Sequence, residues 1–356
     1  MLGRMFFKGV GTAAPPQRYE QRDCWAALQS SRRFASLTPR SRALLKKVLT
    51  GANGIETRRL ALDDLQDAFD LTPDALHARF EANAPVLAAA AAERALADAQ
   101  ESPARIDALL ISTCTGYLCP GLTSYVAQRL GLRPDVLSLD LVGQGCVAAL
   151  PNLRAAHALL SGGACRRVLS VCVEVCSAAF FLDDDPGVLI SACLFGDGAG
   201  AAVLGPSPSP KYRMEWKSSG SLLKPGEREL LRFVQKDGML RNLLAPRVPA
   251  LAAEYAATVA DEVLERAGLR RSQVAGWVLH PGGRDVLRAL RERLGLGDGA
   301  LRWSEAVLRE FGNVSSASLY FVLEAALHDS PPNGHWWMAS FGAGFSCQGA
   351  LLEVEL

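Results

Sequence analysis

A surplus of charge of one sign, which marks many proteins that bind nucleic acids or membrane surfaces, is missing from this sequence. Its 38 lysines and arginines are balanced by 37 aspartates and glutamates, so the formal net charge at pH 7 is only +1. Attraction to phosphate groups depends on a basic surplus. We therefore predict neither a nucleic-acid partner nor a membrane-surface partner.

Long apolar runs are also missing. The longest one near the start of a helical pattern, Val86 to Ala92, has seven residues, whereas a membrane-spanning helix needs about 20. Glycine and proline appear early in the N-terminal stretch, which argues against a signal peptide. The nine cysteines are an odd number without a CxxC pair, which favours reduced thiols. Together these absences predict a cytoplasmic protein with no membrane span.

What is present is an ordinary globular composition, 49% hydrophobic and 21% charged over 356 residues. Strand-like apolar runs alternate with helical patterns, which is typical of an α/β protein. The predicted strands are 107–112, 136–141, 167–174, 200–204, 274–279, 336–340 and 350–355, the first two as buried strands. The predicted helices are 124–130, 147–160, 250–267, 284–294 and 315–326. With Gly205–Arg213 as the linker, we predict two halves, residues 1–208 and 209–356.

Cys146 is the first candidate for chemistry. In the sequence VGQGCVAAL it follows a predicted strand and begins a predicted helix. Gly143 and Gly145 allow the tight turn that such a junction requires. The positive end of a helix dipole lowers the pKa of a thiol, which raises its thiolate fraction. Cys146 is thus a candidate nucleophile, and the alternative is a small buried core cysteine, which is the commoner role.

Two further candidates come from the second half. His280 ends an apolar strand before an HPGG turn, and residues at the carboxyl ends of strands face the ligand crevice in α/β sheets. A structural histidine is the alternative. Asn313 precedes Ser315 and an apolar helix, so helix capping is the alternative to a role as an amide donor. With Cys146 these residues supply a nucleophile, a base and an amide donor, the set required for acyl transfer through a thioester.

A competing interpretation starts from the motif GxGxxA that begins at Gly143. It matches the dinucleotide-binding fingerprint in spacing, with Glu174 about 31 residues further on. Against it, strands already precede this unit, a cysteine occupies the turn that phosphate would approach, and Pro151 lies in the first turns of the helix. An NAD-dependent dehydrogenase remains the alternative from another class. The sequence has no GxxxxGK[ST] motif, so a P-loop site is not expected.

A series of motifs along the chain carries a resemblance to a known family. They are GVGTAAPP, STCTGYLCPGLTSYVAQRLGLRP, GQGCVAAL around Cys146, LFGDGAGAAVLG, LHPGGRDVL around His280, EFGNVSSAS around Asn313, and SFGAGF. In these motifs and their spacing the chain resembles the type III polyketide synthases of the chalcone and stilbene synthase superfamily, over essentially its whole length. A single-round ketoacyl synthase of the same fold is the alternative, but it usually has His-Gln-Ala-Asn where this chain has HPGG.

The resemblance implies a thiolase fold, in which two similar halves form a five-layer αβαβα sandwich, and a homodimer. It also implies that Cys146 takes an acyl group from an acyl-CoA, while His280 and Asn313 hydrogen-bond the thioester oxygen of malonyl-CoA. These donors stabilise the enolate that forms as carbon dioxide leaves, and the enolate extends the acyl chain over repeated rounds. Decarboxylation drives the condensation, so no metal, flavin or nicotinamide cofactor is implied.

The resemblance extends to residues around the reacting groups. Phe195 and Phe233 match the two phenylalanines that gate the pocket, although an ordinary core aromatic is the alternative for Phe233. Ser315 matches a cavity-lining serine beside the catalytic asparagine. Cys119 takes the place of a residue that reaches across the dimer interface in the plant enzymes.

The starter is predicted from the size of the cavity residues. Plant members accept aromatic acyl groups in a cavity floored by threonines and a methionine; Cys176 and Ala179 align with the threonines, and an earlier loop offers Cys114 and Cys119. These residues are small, and cysteine behaves as a compact hydrophobe. Bacterial relatives with small residues here make alkylpyrones or alkylresorcinols, so we predict a medium- or long-chain fatty acyl-CoA starter. The alternative is that these residues only pack the core.

Overall fold

The computed structural model describes residues 3–330 and 332–356. Its strands are β1 (Met5–Ala13), β2 (Arg18–Glu20), β3 (Thr57–Arg59), β4 (Ala108–Thr113), β5 (Leu137–Val142), β6 (Val168–Glu174), β7 (Gly198–Gly205), β8 (Arg213–Leu223), β9 (Leu231–Lys236), β10 (Met239–Leu244), β11 (Val274–Leu279), β12 (Gly334–Gly342) and β13 (Ser346–Glu355). Its helices are α1 (Gln21–Ser30), α2 (Arg32–Ser36), α3 (Pro39–Thr50), α4 (Pro73–Ala99), α5 (Leu122–Leu130), α6 (Ala149–Ser161), α7 (Pro186–Leu194), α8 (Val248–Arg266), α9 (Arg284–Leu294), α10 (Arg302–Phe311) and α11 (Ser318–His328). Within these ranges, none of the helices has the length and apolar character needed to cross a bilayer.

Nine strands form one mixed sheet in the order β11-β12-β13-β8-β1-β7-β6-β4-β5. On one side of its centre β1 pairs antiparallel with β7, β7 antiparallel with β6, and β6 parallel with β4. On the other side β8 pairs antiparallel with β13, β13 antiparallel with β12, and β12 parallel with β11. The two halves therefore repeat one pattern, and β1 joins β8 at the centre. The predicted boundary at residue 208 lies between β7 and β8.

The alternation of side chains along each strand sends apolar residues to both faces of the sheet. In β4, Leu109 and Ile111 pack with α4 and α5, whereas Leu110 packs with α6. In β12, Trp337 packs with α8 and α9, whereas Trp336 packs in the cluster that contains α6 and α11. Both halves of the sheet thus contact α6 and α11 with one face, and contact α4 and α5 or α8 and α9 with the other. The two halves of the sheet are the two β layers, and α6 and α11 form the middle layer between them. This arrangement confirms the predicted five-layer αβαβα sandwich of the thiolase fold.

The strand predicted to be buried at 136–141 is not buried. It is β5, at the edge of the sheet, where only β4 pairs with it. Its residues are exposed or half-buried, and Leu137 and Val142 are 41% and 60% exposed. The apolar side chains that suggested a core strand thus lie on an open sheet edge.

Helices α1, α3 and α7 form a separate small core that the sequence analysis did not predict. Helix α3 has a clear start, because the Thr38 side chain accepts the Ser41 N–H and Pro39 occupies the first turn. The three helices bury one shared apolar cluster: Cys24, Leu28, Leu37, Leu45, Leu49, Leu189 and Cys193. Since this cluster is distinct from those of the sandwich, the helices are an added layer beside it.

Candidate active site

Cys146 lies at a sharp turn between β5 and α6. Gly143 and Gly145 have φ angles of +82° and +61°, in the left-handed region that favours glycine, so the predicted turn is confirmed. Cys146 itself belongs to a 3₁₀ turn, Gly145–Val147, and α6 begins only at Ala149. The thiol is half-buried at the start of the helical segment.

Strand β12 holds Cys146 and His280 at neighbouring positions. The Ser340 hydroxyl donates to the Cys146 carbonyl oxygen at 2.7 Å, and the His280 N–H donates to the Ala339 carbonyl oxygen at 3.0 Å. A Cβ at Gly342 would lie only 2.8 Å from the Val147 nitrogen, so the strand approaches the turn this closely only with glycine there. The two candidates, 134 positions apart in sequence, are thus anchored to consecutive residues of one strand.

Asn313 contacts both halves of the chain, at Leu194 in the first and at Gly282 in the second. Its N–H donates to the Leu194 carbonyl oxygen at 2.9 Å, beside Phe195, and its amide nitrogen lies 3.5 Å from the Gly282 carbonyl oxygen in the turn after His280. Its amide oxygen accepts the Ser315 N–H at 2.9 Å. The side-chain oxygen therefore holds the turn before α11, although Asn313 is the N-cap neither of this helix nor of the 3₁₀ turn before it. Its NH₂ group makes only the long contact to the Gly282 carbonyl oxygen.

Burial acts on the thiol and the imidazole in opposite directions. It raises the pKa of Cys146 to about 12, which the hydrogen bond from Ser315 opposes, and it lowers the pKa of His280 to about 3. The sequence predicted a lowered thiol pKa, and for the isolated thiol that direction is wrong. Helix α6 begins three residues further on, at Ala149, and burial is the largest influence on the thiol pKa. Burial therefore favours the neutral form of each group on its own.

We expect Cys146 and His280 to ionise as a pair, in which each charge stabilises the other, and the pH dependence of Cys146 tests this expectation. In His280→Gln the thiolate has no imidazolium beside it, so the inflection in Cys146 alkylation should move upward, towards the value near 12 set by burial. The measurement is the rate of iodoacetamide modification of the Cys146 peptide against pH, by mass spectrometry. His157→Gln, a histidine bonded to the Gly3 carbonyl oxygen, is the control. Identical profiles for wild type and His280→Gln would remove His280 from the activation of the thiol.

Glu174 is a site residue that the sequence suggested only as a strand end and as part of the dinucleotide-binding alternative. It is fully buried at the end of β6 and accepts hydrogen bonds from the Cys114 N–H at 3.0 Å, the Thr115 hydroxyl at 2.9 Å and the Ser316 hydroxyl. Burial raises the pKa of this carboxyl, and its donors oppose the rise. One signal in the sequence could have indicated this role: Glu174 is a lone acidic residue at the end of the apolar run RVLSVCVE. An acid buried with such a strand needs several hydrogen-bond donors around it.

Glu174 also fixes the groups that surround the nucleophile. Its carboxylate lies 3.3 Å from the Cys114 thiol and 3.4 Å from the Ser315 hydroxyl. The same hydroxyl lies 3.4 Å from the Cys146 sulfur. Ser315 has a φ of +48°, a strained conformation for a residue with a side chain. The left-handed backbone of Ser315 and its contact with the buried Glu174 carboxylate together place the Ser315 hydroxyl beside the Cys146 thiol.

An apolar cavity reaches this thiol. Its volume is about 90 Å³. The predicted cavity residues that line it, besides Cys146, are Cys114, Cys176, Ala179, Phe195, Phe233 and Ser315. A second opening on the side of β9 and β10 shares Cys114 and Phe233. These predicted residues are therefore brought together around one space.

Three predicted site residues are not on the cavity wall. Cys119 is exposed and lines neither opening, so within one chain it does not contribute to the site. His280 and Asn313 are 1% and 3% exposed and lie behind the wall. Phe195, which lines the cavity, forms an isolated backbone bridge with Asn313.

A thiol at a strand-to-helix turn on an apolar cavity, with an imidazole and an amide group behind the cavity wall, is the arrangement expected of a thiolase-fold acyltransferase. The models of the N-terminal and C-terminal domains of chalcone and stilbene synthases match residues 9–208 and 221–353. An "alpha-pyrone synthesis polyketide synthase-like" protein of Mycobacterium tuberculosis is 31% identical over 98% of this chain and 90% of its own. The 1,3,6,8-tetrahydroxynaphthalene synthase of Streptomyces peucetius subsp. caesius is 33% identical over 97% and 92%.

Solved structures agree with the sequence matches. The crystal structure of PKS-I from the brown alga Ectocarpus siliculosus superposes with a TM-score of 0.90 and 26% identity, covering 99% of each chain. The tetrahydroxynaphthalene synthase of Streptomyces coelicolor A3(2) shares the fold, with a TM-score of 0.88. The chain belongs to the chalcone and stilbene synthase family, and is a type III polyketide synthase: a malonyl-CoA-dependent, decarboxylating acyltransferase. This assignment replaces the dehydrogenase alternative.

Proposed function

We propose that this enzyme loads a medium- or long-chain fatty acyl group on Cys146, extends it with malonyl-CoA, and releases a cyclised pyrone or resorcinol. The observation that supports this starter is the apolar cavity, which is lined by Cys146 and by the small residues Cys176 and Ala179. Burying hydrocarbon there contributes about 0.8 kcal/mol per methylene. An acetyl starter would contact little of this apolar lining, so the lining favours an alkyl chain.

The relatives support the polyketide chemistry and leave the product open. The mycobacterial relative is named for alpha-pyrone synthesis, the Streptomyces one for a tetrahydroxynaphthalene. A third, from Streptomyces toyocaensis, is named 3,5-dihydroxyphenylacetyl-CoA synthase. Three product classes at about the same identity mean that the starter must be argued from this chain's own cavity. The pyrone name and the apolar cavity point in the same direction.

The proposed steps use three side chains. The Cys146 thiol passes its proton to His280 and attacks the acyl-CoA carbonyl, so a thioester to the enzyme forms and CoA leaves as its thiol. His280 and the Asn313 NH₂ group then donate to the malonyl thioester oxygen. The bond to the carboxylate breaks, carbon dioxide leaves, and its electron pair becomes the enolate that these donors stabilise.

The enolate next attacks the acyl group on Cys146. A carbon–carbon bond forms, and the thiolate leaves and is ready for transfer of the longer chain. These steps balance with CoA and carbon dioxide as the departing groups. We therefore propose that no metal, flavin or nicotinamide takes part.

The starter proposal is tested by filling the cavity at Cys176. In Cys176→Phe the activity with palmitoyl-CoA should fall by about 10- to 100-fold, since several methylenes lose their buried site. Activity with acetyl-CoA should change by less than about threefold. Radiolabelled malonyl-CoA with acetyl-, hexanoyl-, decanoyl- and palmitoyl-CoA measures this profile. Cys176→Ser, which keeps the volume, is the matched control, and a loss that is uniform over all chain lengths would contradict an acyl path past this residue.

We also propose that the enzyme is a homodimer that associates through the edge strand β5. Its free side presents unpaired backbone groups together with the exposed Leu137 and Val142, and such an edge is covered in most proteins. Leu137→Lys places a charge on this edge. By light scattering, wild type should have twice the 38.1 kDa chain mass and the variant a lower mass. A wild type that is monomeric at micromolar concentration would contradict the proposal.

A further inference from the structure

The thiol of Cys114 takes no part in the proposed steps, although it lies close to the nucleophile. Cys114 and Cys146 follow the neighbouring parallel strands β4 and β5, whose last residues, Thr113 and Val142, are paired in register. Both sulfurs contact one atom, the Ser315 hydroxyl oxygen, at 3.5 Å and 3.4 Å. The two sulfurs are therefore separated by no more than the sum of these two distances.

The two thiols also share an open space. Both are half-buried, and both line the cavity. Each sulfur turns about a single bond, so rotation of the two side chains changes their separation without a change in the backbone. A small oxidant that enters the cavity reaches either sulfur. The geometry thus allows the two thiols to react with each other after one of them is oxidised.

Glu174 provides a base for the Cys114 thiol. Its carboxylate lies 3.3 Å from the Cys114 sulfur and accepts the Cys114 N–H at 3.0 Å. Burial, the Glu174 charge and the Cys146 thiol all raise the pKa of Cys114, so this thiol is protonated at rest. It competes poorly with Cys146 for acyl-CoA, but its proton can pass directly to the adjacent carboxylate. Cysteines that sense oxidants often stand next to such a second thiol, which resolves the sulfenic acid.

We infer that Cys146 and Cys114 form a redox pair, which hydrogen peroxide converts to a disulfide and a thiol reductant restores. In the first step the Cys146 thiolate of the expected ion pair attacks one peroxide oxygen. The S–O bond forms and the O–O bond breaks. The leaving hydroxide takes the His280 imidazolium proton and departs as water, so Cys146 becomes a sulfenic acid.

The second step forms the bridge. Cys114 passes its proton to Glu174, and its sulfur attacks the sulfenic sulfur of Cys146. The S–S bond forms, the S–O bond breaks, and the hydroxide leaves with the proton from Glu174 as a second water. The bridged enzyme has no free nucleophile and is therefore inactive. It is also protected, because Cys146 cannot pass on to the irreversible sulfinic and sulfonic acids.

This inference rests on Cys146 as the reactive thiol and not on the identity of the starter. The experiment treats the full-length enzyme with excess hydrogen peroxide and then with dithiothreitol. Acyl loading of each protein is compared with that of its own untreated sample. Wild type should lose loading by at least about tenfold and recover it to within about twofold, as a disulfide does.

Two serine variants test the resolving thiol. In Cys114→Ser, peroxide should carry Cys146 on to the sulfinic and sulfonic acids, so loading after dithiothreitol should stay at least about fivefold below the untreated value. Cys176→Ser removes the third half-buried thiol of the same cavity and is the matched control. It should recover as wild type does. If Cys114→Ser recovers as fully as this control, the inference is overturned.

Peptide mapping without reductant identifies the bridge in the oxidised wild type. A disulfide should join the peptides of Cys114 and Cys146, and fragmentation separates Cys114 from the exposed Cys119 on the same tryptic peptide. A bridge from Cys146 to Cys119 or to Cys176 would assign the resolving thiol elsewhere and also overturn the inference. Untreated enzyme that forms the bridge but never loads an acyl group would contradict the proposed function and leave the redox pair standing.

Discussion

Replacing Cys146 with alanine is expected to abolish transfer of the acyl group from CoA, by at least about 1000-fold, because the variant has no thiol at the turn that can form the thioester. Cys114 is the nearest substitute, since its sulfur contacts the same Ser315 hydroxyl. However, burial and the adjacent Glu174 carboxylate raise the pKa of the Cys114 thiol, so it should remain protonated. Protein-bound radiolabel after incubation with labelled acyl-CoA measures the loading step directly.

Cys114→Ala is the matched control for this experiment. It removes a neighbouring thiol of the same cavity and should retain loading within about tenfold, as expected for a residue that only lines the site. Peptide mapping should place the label of the wild type on Cys146. Retained loading in Cys146→Ala, or label on Cys114 in the wild type, would assign the nucleophile to another residue.

Where local signals are strong, the sequence predicted the fold closely. Strand β11 and helix α9 have the predicted bounds, 274–279 and 284–294, because an HPGG turn separates an apolar run from an amphipathic one. Strand β5 was correctly predicted to be a strand but wrongly to be buried. Whether an apolar strand is central or lies at an edge depends on the order of strands in the sheet, which one sequence window does not contain.

The sequence indicated the three candidate catalytic residues of the site, but not the buried groups that surround them. Cys146, His280 and Asn313 each stand next to a turn or cap that marks them in sequence. The role of Glu174 depends on donors from segments around residues 114 and 316, more than 50 positions away on either side, so no local pattern contains it. The thiol pKa likewise depends on burial by distant segments, and burial reversed the direction expected from the helix dipole.

Asn313→Asp is expected to slow decarboxylation of malonyl-CoA by about 100- to 1000-fold, the usual cost of losing one oxyanion donor. Asp keeps the oxygen that accepts the Ser315 N–H at 2.9 Å, so the turn before α11 is retained. It lacks the NH₂ group, and its negative charge opposes the enolate. Acyl loading on Cys146 does not use this donor, so it should stay within a few-fold of wild type.

Asn313→Ala separates the structural part of this residue from the chemical part. It loses the donor as Asp does, and it also loses the turn contact, which adds a destabilisation of about 1 kcal/mol. Release of labelled carbon dioxide, acyl loading and urea unfolding are measured for both variants. Both variants should lose decarboxylation, Asn313→Asp by at least as much as Asn313→Ala because of its charge, and only Asn313→Ala should lose stability, because the amide oxygen holds the turn while the amide nitrogen serves the enolate. If Asn313→Asp decarboxylates malonyl-CoA at the wild-type rate, the enolate is stabilised by other donors, and Asn313 acts only in the turn.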